Sequence, residues 1–251
     1  MAKDSGDLYV PENAGELSLP TGRGFDPVAH GYKRVLPKAG SKHVGAWDPN
    51  NELSARMDKL HPSQFNRMIH NVTHAVKTAS PEDVKSGMDW YKRAHDFATE
   101  IGKGDVRRGA GAIAILSSQV GWNDNQRAAR QLRDTGTVRG VYVSGEQVSK
   151  ARDVLEGSVE PEKHLPMTKK TGNFFKNIVN PEGDDVTIDR HAHDITVGRV
   201  LGSEERGLQT PPRYNTFVEA HKTAAGNLGM IPNQAQAIGW VNWRRQRGIV
   251  D

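Results

Sequence analysis

Cysteine is absent from the 251-residue chain. Its absence excludes disulfides, thiolate zinc sites, iron–sulfur clusters and a cysteine nucleophile. Long apolar runs are also missing, and no stretch approaches the ~20 apolar residues that cross a bilayer. The first residues do not resemble a secretory signal. We therefore expect a soluble, cytoplasmic protein, in the host cytoplasm if a phage encodes it, with no membrane partner.

A strong excess of one charge is missing as well. The chain has 34 Lys and Arg residues against 30 Asp and Glu residues, which gives a net charge of +4 and a pI near 9.2. This balance gives a mild bias toward polyanions such as nucleic acid, and it identifies no partner by itself.

The first 60 residues have few large apolar side chains and no regular hydrophobic period. A segment rich in Gly, Pro, Asn, Lys and Asp buries too little apolar surface to offset the entropy lost on ordering. We predict an irregular N-terminal arm over residues 1–60 and a single helical domain over residues 61–251.

Helical periodicity begins after this arm. Ser80-Pro81, followed by two acidic residues, is a helix start signal, and it predicts one helix that ends at Gly102. No segment has the pattern of a strand of ordinary length, so the predicted fold class is all-α. Further helices are predicted from the apolar stripe at residues 65–76 and over residues 106–118, 124–133, 144–155, 168–179, 189–200, 214–227 and 232–247.

One stretch, residues 165–193 (LPMTKKTGNFFKNIVNPEGDDVTIDRHAH), combines groups that suit catalysis. Lys170-Thr171 begins nineteen positions before Asp189, which lies in a Val-x-x-Asp-x-His element that ends at His191. The pattern resembles the helix-hairpin-helix DNA glycosylase superfamily, which includes endonuclease III and 8-oxoguanine glycosylase. In that family a Leu-Pro-Gly-Val-Gly hairpin precedes the lysine, and the aspartate element follows about nineteen residues later.

Two further stretches resemble the same family in the same order. Residues 112–119 (AIAILSSQ), with Asn125 and Ala128-Ala129 after them, are similar to its "LLSAQ" helix and the helix that follows. Residues 144–155 are similar to the helix before the hairpin. The chain also resembles a group of phage proteins of this superfamily through Trp122 and the C-terminal PNQAQAIGWVNWRR.

The hairpin departs from the family pattern. Residues 165–170 (LPMTKK) are one residue shorter than the usual form and lack both glycines, which allow backbone amides to approach a DNA phosphate. Lys169 would then supply a charge in their place. The iron–sulfur tail of endonuclease III is absent.

The resemblance implies a monomeric DNA N-glycosylase, with or without AP-lyase activity, that excises a damaged or modified base flipped out of double-stranded DNA. Asp189 would stabilise positive charge on the sugar, and Lys170 would be the amine that attacks C1′ in a lyase. No cofactor and no metal are expected. DNA contacts are expected from Gln119, as a wedge or a reader of the opposite strand, and from Lys169, Asn125 and His191.

Several alternatives remain open for these residues. Asp189 could serve only as a helix cap, and Lys170 could be a surface lysine. The tryptophans Trp122, Trp240 and Trp243 are expected in the core, and the basic residues at 244, 245 and 247 suit either phosphates or a helix C-terminus. The same fold could also carry a phage enzyme that modifies a base without excising it, or a DNA-binding protein without catalysis.

The rival cluster is His191, His193 and Asp194, beside Asp189, whose side chains are typical of zinc or manganese hydrolases. In a helix, however, side chains two positions apart diverge by roughly 200°. His191 and His193 are therefore not expected to share one ion.

Overall fold

The computed structural model describes residues 8–11, 32–35, 62–202, 208 and 211–249. Strands β1 (Leu8–Pro11) and β2 (Tyr32–Val35) pair antiparallel, with Leu8 opposite Val35. Both belong to the segment predicted as an irregular arm, whose other residues lie outside the described part of the chain.

From residue 62 onward the described chain is helical, which confirms the all-α prediction. None of the described helices is long and apolar enough to cross a membrane. The helices are α1 (Pro62–Lys77), α2 (Pro81–Met88), α3 (Trp90–Ile101), α4 (Val106–Leu116), α5 (Trp122–Thr135), α6 (Gly145–Glu156), α7 (Lys170–Val179), α8 (Arg190–Val197), α9 (Pro211–Asn227) and α10 (Pro232–Arg245), and a 3₁₀ turn (Pro161–Lys163) lies between α6 and α7.

The helix boundaries follow local signals that the sequence carries. Ser80 and Ser144 each accept a hydrogen bond from the third backbone amide of the helix that follows, and each forms a capping box, which satisfies otherwise unpaired amides. Gly136 ends α5 with φ +67°, a left-handed conformation that costs glycine little.

The prediction of one continuous helix from Pro81 to Gly102 is wrong, because the chain breaks at Asp89 between α2 and α3. Gly87, in the last turn of α2, lies directly against the backbone of α10, where a Cβ would come within 2.5 Å of Ile238 Cα. This tertiary contact sets the path of α2 independently of α3. The break places Trp90 at the start of α3, where its ring joins the pocket described below.

Helix α4 lies at the centre of the larger core cluster, and its residues 109–116 are all buried. Its small side chains permit close packing against α3, α6 and α7, which gains dispersion energy over many short contacts. A second cluster joins α1, α8 and α9 through residues such as Met68, Ala192 and Phe217. Helix α10 contacts both α3 and α8, so it bridges the two clusters.

Candidate functional site

A pocket opens where the ends of several helices meet between the two core clusters. Its volume is about 90 Å³, several times the ~10–15 Å³ that one water molecule needs on the same measure. The space suits a ring-sized ligand. The lining residues are Trp90, Tyr91, Ser117, Val120, Trp122, Asn125, Lys170, Phe174, Thr187, Asp189, Gln236, Ala237 and Trp240.

Aromatic rings form much of the pocket wall. The Trp90 ring lies 5.1 Å from Trp122 and 5.9 Å from Trp240, and Trp122 lies 6.3 Å from Phe174, all between ring centroids. The three tryptophans are half-buried and line the pocket, so they offer aromatic surface to a flat ligand. Trp122 and Trp240 line the pocket, and Trp122 also packs against the larger core cluster, whereas Trp243 is buried in a separate core cluster as expected.

Lys170 is the first residue of α7, and its side chain reaches into this pocket. Its Nζ donates a hydrogen bond to the backbone oxygen of Ser117 at 3.3 Å, just beyond the end of α4. Burial lowers the pKa of Lys170, and the charge of Arg190 lowers it further, while the carboxylate of Asp189 acts in the opposite direction. A larger share of this amine is therefore unprotonated, and nucleophilic, than in an exposed lysine.

Asp189 lies at the N-terminus of α8 and lines the same pocket. Its Oδ1 accepts a hydrogen bond from the backbone amide of Ala192 at 2.8 Å, so it does cap the helix. Its Oδ2 accepts a second bond from the indole Nε1 of Trp240 at 3.0 Å. The two donors fix the plane of the carboxylate. Asp189 is therefore both the cap of α8 and a residue of the pocket.

The chain that leads to Asp189 is itself anchored. Val186 and Ile188 are buried, and the backbone amide of Ile188 donates a hydrogen bond to the Tyr214 hydroxyl at 3.1 Å. This contact with α9 holds the extended segment against the second core cluster. The aspartate therefore projects from a rigid support.

Asn125 is buried in α5 and also lines the pocket. Its Nδ2 donates to the backbone oxygen of Ile113 at 3.1 Å, while its Oδ1 has no hydrogen-bond partner within the described part of the chain. The structure thus brings Asn125 together with Lys170 and Asp189.

The other predicted DNA contacts lie outside the pocket lining. Gln119 is exposed in the turn between Ser117 and Val120, both of which do line the pocket, and its φ is +65°. Lys169 is half-buried immediately before α7. His191 is buried, with its ring 6.2 Å from that of Trp240, and burial lowers its pKa.

The two histidines of the rival metal cluster have different neighbours. His193 stacks on Phe217 with 4.5 Å between ring centroids, whereas His191 lies against Trp240. Among the residues that the structure describes, no group of three His, Asp or Glu side chains is placed to hold a metal ion.

The shortened hairpin packs directly on α7. The amide of Lys169 donates to the backbone oxygen of Pro166 at 2.9 Å, which closes the turn. Gly172, in the first turn of α7, lies so close to the Met167 backbone that a Cβ would collide with it. This close approach holds the hairpin on the start of α7, the helix that carries Lys170 into the pocket.

The basic residues at the end of α10 all contact protein groups. Arg244 is buried, with its guanidinium 4.2 Å from the centroid of Trp240. Arg245 pairs with Asp83, and Arg247 lies over Trp243. Only Arg245 and Arg247 of the three are exposed.

Sequence reasoning missed Trp90, Tyr91 and Gln236 as pocket residues. Each lies far along the chain from the Lys170–Asp189 segment and has the spacing of an ordinary helix residue. Only the packing of α10 between α3 and α8 brings them to the site, and no local pattern signals that packing.

Residues 54–247 match the model of one protein family, DUF7178, which is described as a family of unknown function. No curated protein and no solved structure matches the chain.

Proposed function

The chain belongs to the family of unknown function DUF7178, and we propose that its pocket excises a damaged or modified base from double-stranded DNA. The proposed fold is the helix-hairpin-helix glycosylase fold, with α6 and α7 as the two helices around the hairpin. The proposed activity is that of a DNA N-glycosylase, with an AP-lyase step if Lys170 is the nucleophile.

One observation carries this proposal. Lys170 and Asp189 start successive helices, lie nineteen residues apart and meet in one pocket walled by aromatic rings. A flat base suits the rings, a carboxylate suits the positive charge that develops on the sugar, and an amine of lowered pKa suits attack at C1′.

The proposed reaction needs only the DNA, the amine of Lys170 and, in its last step, water. The neutral amine of Lys170 attacks C1′, and the C1′–N bond breaks with its electron pair going to the base. The base takes up the proton that the amine releases. Opening of the sugar ring gives an imine between Lys170 and C1′. Elimination then removes a proton from C2′, which passes to solvent, and breaks the C3′–O bond, whose electron pair leaves on the departing phosphate. Water finally hydrolyses the imine to restore the amine.

Asp189 contributes charge in this scheme. Its carboxylate faces the sugar while positive charge grows at C1′, and its two fixed hydrogen bonds avoid the reorganisation that water would need. If water replaces Lys170 as nucleophile, the same carboxylate orients and deprotonates it.

DNA binding rests on the surface around the pocket. Gln119 lies in the exposed turn at the rim, where it is placed to fill the gap that a flipped base leaves. Lys169 lies next to Lys170 and supplies a positive charge for the DNA backbone.

A base-release assay tests the proposal against its two rivals. Duplexes that each carry one modified or damaged base, together with phage-derived DNA, are incubated with the full chain and examined by mass spectrometry. Release of a free base supports a glycosylase. A nucleoside of altered mass would indicate a modifying enzyme, and tight binding without chemistry would indicate a DNA-binding protein.

A further inference from the structure

Two buried hydrogen bonds lie in the wall of the pocket. Tyr91 donates to Gln236 Oε1 at 3.0 Å, and Asn177 Nδ2 donates to Thr187 Oγ1 at 3.0 Å. Burial raises the pKa of Tyr91, so its hydroxyl stays protonated and remains a donor. Tyr91, Thr187 and Gln236 line the pocket.

The hydrogen bond from Tyr91 orients the amide of Gln236. Because Oε1 accepts from Tyr91, the amide group left for a ligand is Nε2, which can only donate. Gln236 is 5% exposed and lines the pocket, so the donor is largely screened from bulk water, and a hydrogen bond there discriminates strongly.

Asn125 offers the opposite group. Its Nδ2 donates to the Ile113 carbonyl, and a carbonyl can only accept, so Oδ1 is the free end of this amide. Asn125 is 1% exposed, and its Oδ1 has no hydrogen-bond partner among the residues that the structure describes. A buried acceptor without a partner is costly, and a ligand donor would remove that cost.

We propose that Gln236 and Asn125 select a neutral lactam base, one in which a ring carbonyl lies beside a ring N–H, as in uracil, thymine and hypoxanthine. The carbonyl accepts from Gln236 Nε2, and the ring N–H donates to Asn125 Oδ1. The aromatic rings hold the two faces of the base. This inference rests on the proposed function, because it names the substrate class of the same pocket.

The alternative is an amidine edge, as in adenine and cytosine, where an amino group lies beside a ring nitrogen. An amino group carries two hydrogens, and the single Oδ1 of Asn125 satisfies one of them, which leaves the other to lose its hydrogen bond to water. A lactam N–H carries one hydrogen and leaves none unpaired. A carbonyl oxygen also accepts negative charge as the base departs, and Gln236 Nε2 then stabilises it.

An NMR titration of the full chain with free bases tests the inference without requiring catalysis. The indole N–H signals of the pocket tryptophans report binding of uracil, thymine and hypoxanthine, of the amidine bases adenine and cytosine, and of unsubstituted purine as a ring that stacks but has no lactam. We expect the lactam bases to bind roughly three- to tenfold tighter than the amidine bases, the ratio that one neutral hydrogen bond supplies.

Variants then connect the preference to the two amides. Gln236→Met and Asn125→Ala should each abolish the lactam preference and leave the affinity for purine unchanged. The matched controls are Gln234→Met on α10 and Asn123→Ala on α5, which lie outside the pocket lining and should bind like the wild type. Cooperative thermal unfolding establishes that each variant is folded, and if Asn125→Ala does not fold, Gln236→Met decides alone.

Equal or tighter binding of adenine and cytosine, or a lactam preference that survives in both pocket variants, would overturn the inference. The DNA assay is separate. Lactam binding without base release from any duplex contradicts the proposed glycosylase and leaves the pocket preference standing. Release of amidine bases alone supports the glycosylase and contradicts the lactam preference.

Discussion

The indole Nε1 of Trp240 donates a hydrogen bond to Oδ2 of Asp189 at 3.0 Å, across fifty-one residues of sequence. The same indole lies under the buried guanidinium of Arg244, 4.2 Å from its centroid. Trp240 therefore connects α10 to the N-terminus of α8. It holds one carboxylate oxygen while the Ala192 amide holds the other, so the aspartate has a single orientation toward the pocket.

Replacing Trp240 with Phe should reduce base release while keeping the ring. A hydrogen bond to a charged group contributes ~1.5–3 kcal/mol, so we expect a loss of roughly ten- to a hundredfold in the single-turnover rate. Asp189 Oδ2, once released, can turn toward Lys170 and favour its charged form. The pH–rate profile of borohydride trapping should then shift toward higher pH, an effect that a loss of packing alone would not produce.

Trp243→Phe is the matched control on the same helix. Among the described residues its indole N–H has no hydrogen-bond partner, and Trp243 lies outside the pocket lining, so this change should leave the rate and the pH profile as in the wild type. Equal losses in both variants would mean that Trp240 acts through general packing of α10.

Asp189→Asn should abolish base release and leave the fold intact. The amide oxygen can still accept from Ala192, so the cap survives, while the amide nitrogen cannot accept from Trp240. The negative charge that stabilises the sugar is also lost, at a cost of several kcal/mol in the barrier. Asp105 is the corresponding control, since it caps α4 through the Arg107 and Arg108 amides. Asp105→Ala should lower stability by about 1 kcal/mol and keep full activity. Full activity of Asp189→Asn on a verified substrate would refute the glycosylase proposal.

Replacing Lys170 should lower the activity and raise the stability of the protein. Lys170→Met should eliminate both the borohydride-trapped adduct and strand cleavage, whereas the neighbouring Lys169→Met should retain both. Because burial lowers the pKa of Lys170 below that of an unfolded lysine, the unfolded chain binds more protons between the two pKa values. The free energy of unfolding therefore rises with pH through that window.

It follows that Lys170→Met should be more stable than the wild type near neutral pH, and that its advantage should shrink as the pH approaches the ordinary lysine pKa. Thermal melts across the alkaline range measure this difference. If the stability advantage of Lys170→Met does not depend on pH, the charge of Lys170 does not destabilise the folded wild-type protein. Base release without an adduct in Lys170→Met would indicate water as the nucleophile.

Local sequence patterns were sufficient for most of the fold. The spacing of apolar residues and the start signal at Ser80-Pro81 predicted helix starts close to their observed positions, because caps and periodicity act within one or two turns. The break at Asp89 could not be predicted this way. It depends on the contact between Gly87 and the backbone of α10, about 150 residues away in sequence.

The site divides in the same manner. Lys170, Asp189 and Asn125 came from a resemblance carried by residues 112–193, and the structure brings them to one pocket. Trp90 and Gln236 reach it only through tertiary packing. The sequence predicted Trp240 as a core residue. Its contact with Asp189 depends on how α10 crosses α8, and no spacing within either helix specifies that crossing.

Duplex binding should weaken steeply with salt if phosphate contacts dominate. The logarithm of the binding constant should fall with the logarithm of salt concentration by ~0.9 per phosphate neutralised, and Lys169→Gln should reduce this slope by about one. Lys103, which is exposed in the turn between α3 and α4 and is not part of the pocket lining, provides the control, because Lys103→Gln should leave the slope unchanged. A salt-independent binding constant would argue against DNA as the partner.

Gln119 and Lys103 are the two non-glycine residues with positive φ in the described chain, at +65° and +52°. A side chain in the left-handed region costs about 1 kcal/mol, and this backbone conformation does not itself favour glutamine at position 119. Glycine adopts this conformation freely but gives more entropy to the unfolded state, so Gln119→Gly and Lys103→Gly should each change stability by no more than about 1 kcal/mol. For a chain of this size that corresponds to ~2–4 °C in Tm.

Only Gln119→Gly should affect the reaction, because Gln119 lies in the turn at the pocket rim and glycine cannot fill the gap left by a flipped base. We expect at least a tenfold loss of base release from a fully paired duplex, since flipping costs a few kcal/mol there. The loss should be much smaller when the target base is in a bulge or opposite a mismatch, where flipping costs less. Equal losses on paired and unpaired substrates, or an equal loss in Lys103→Gly, would show that Gln119 does not act as the wedge.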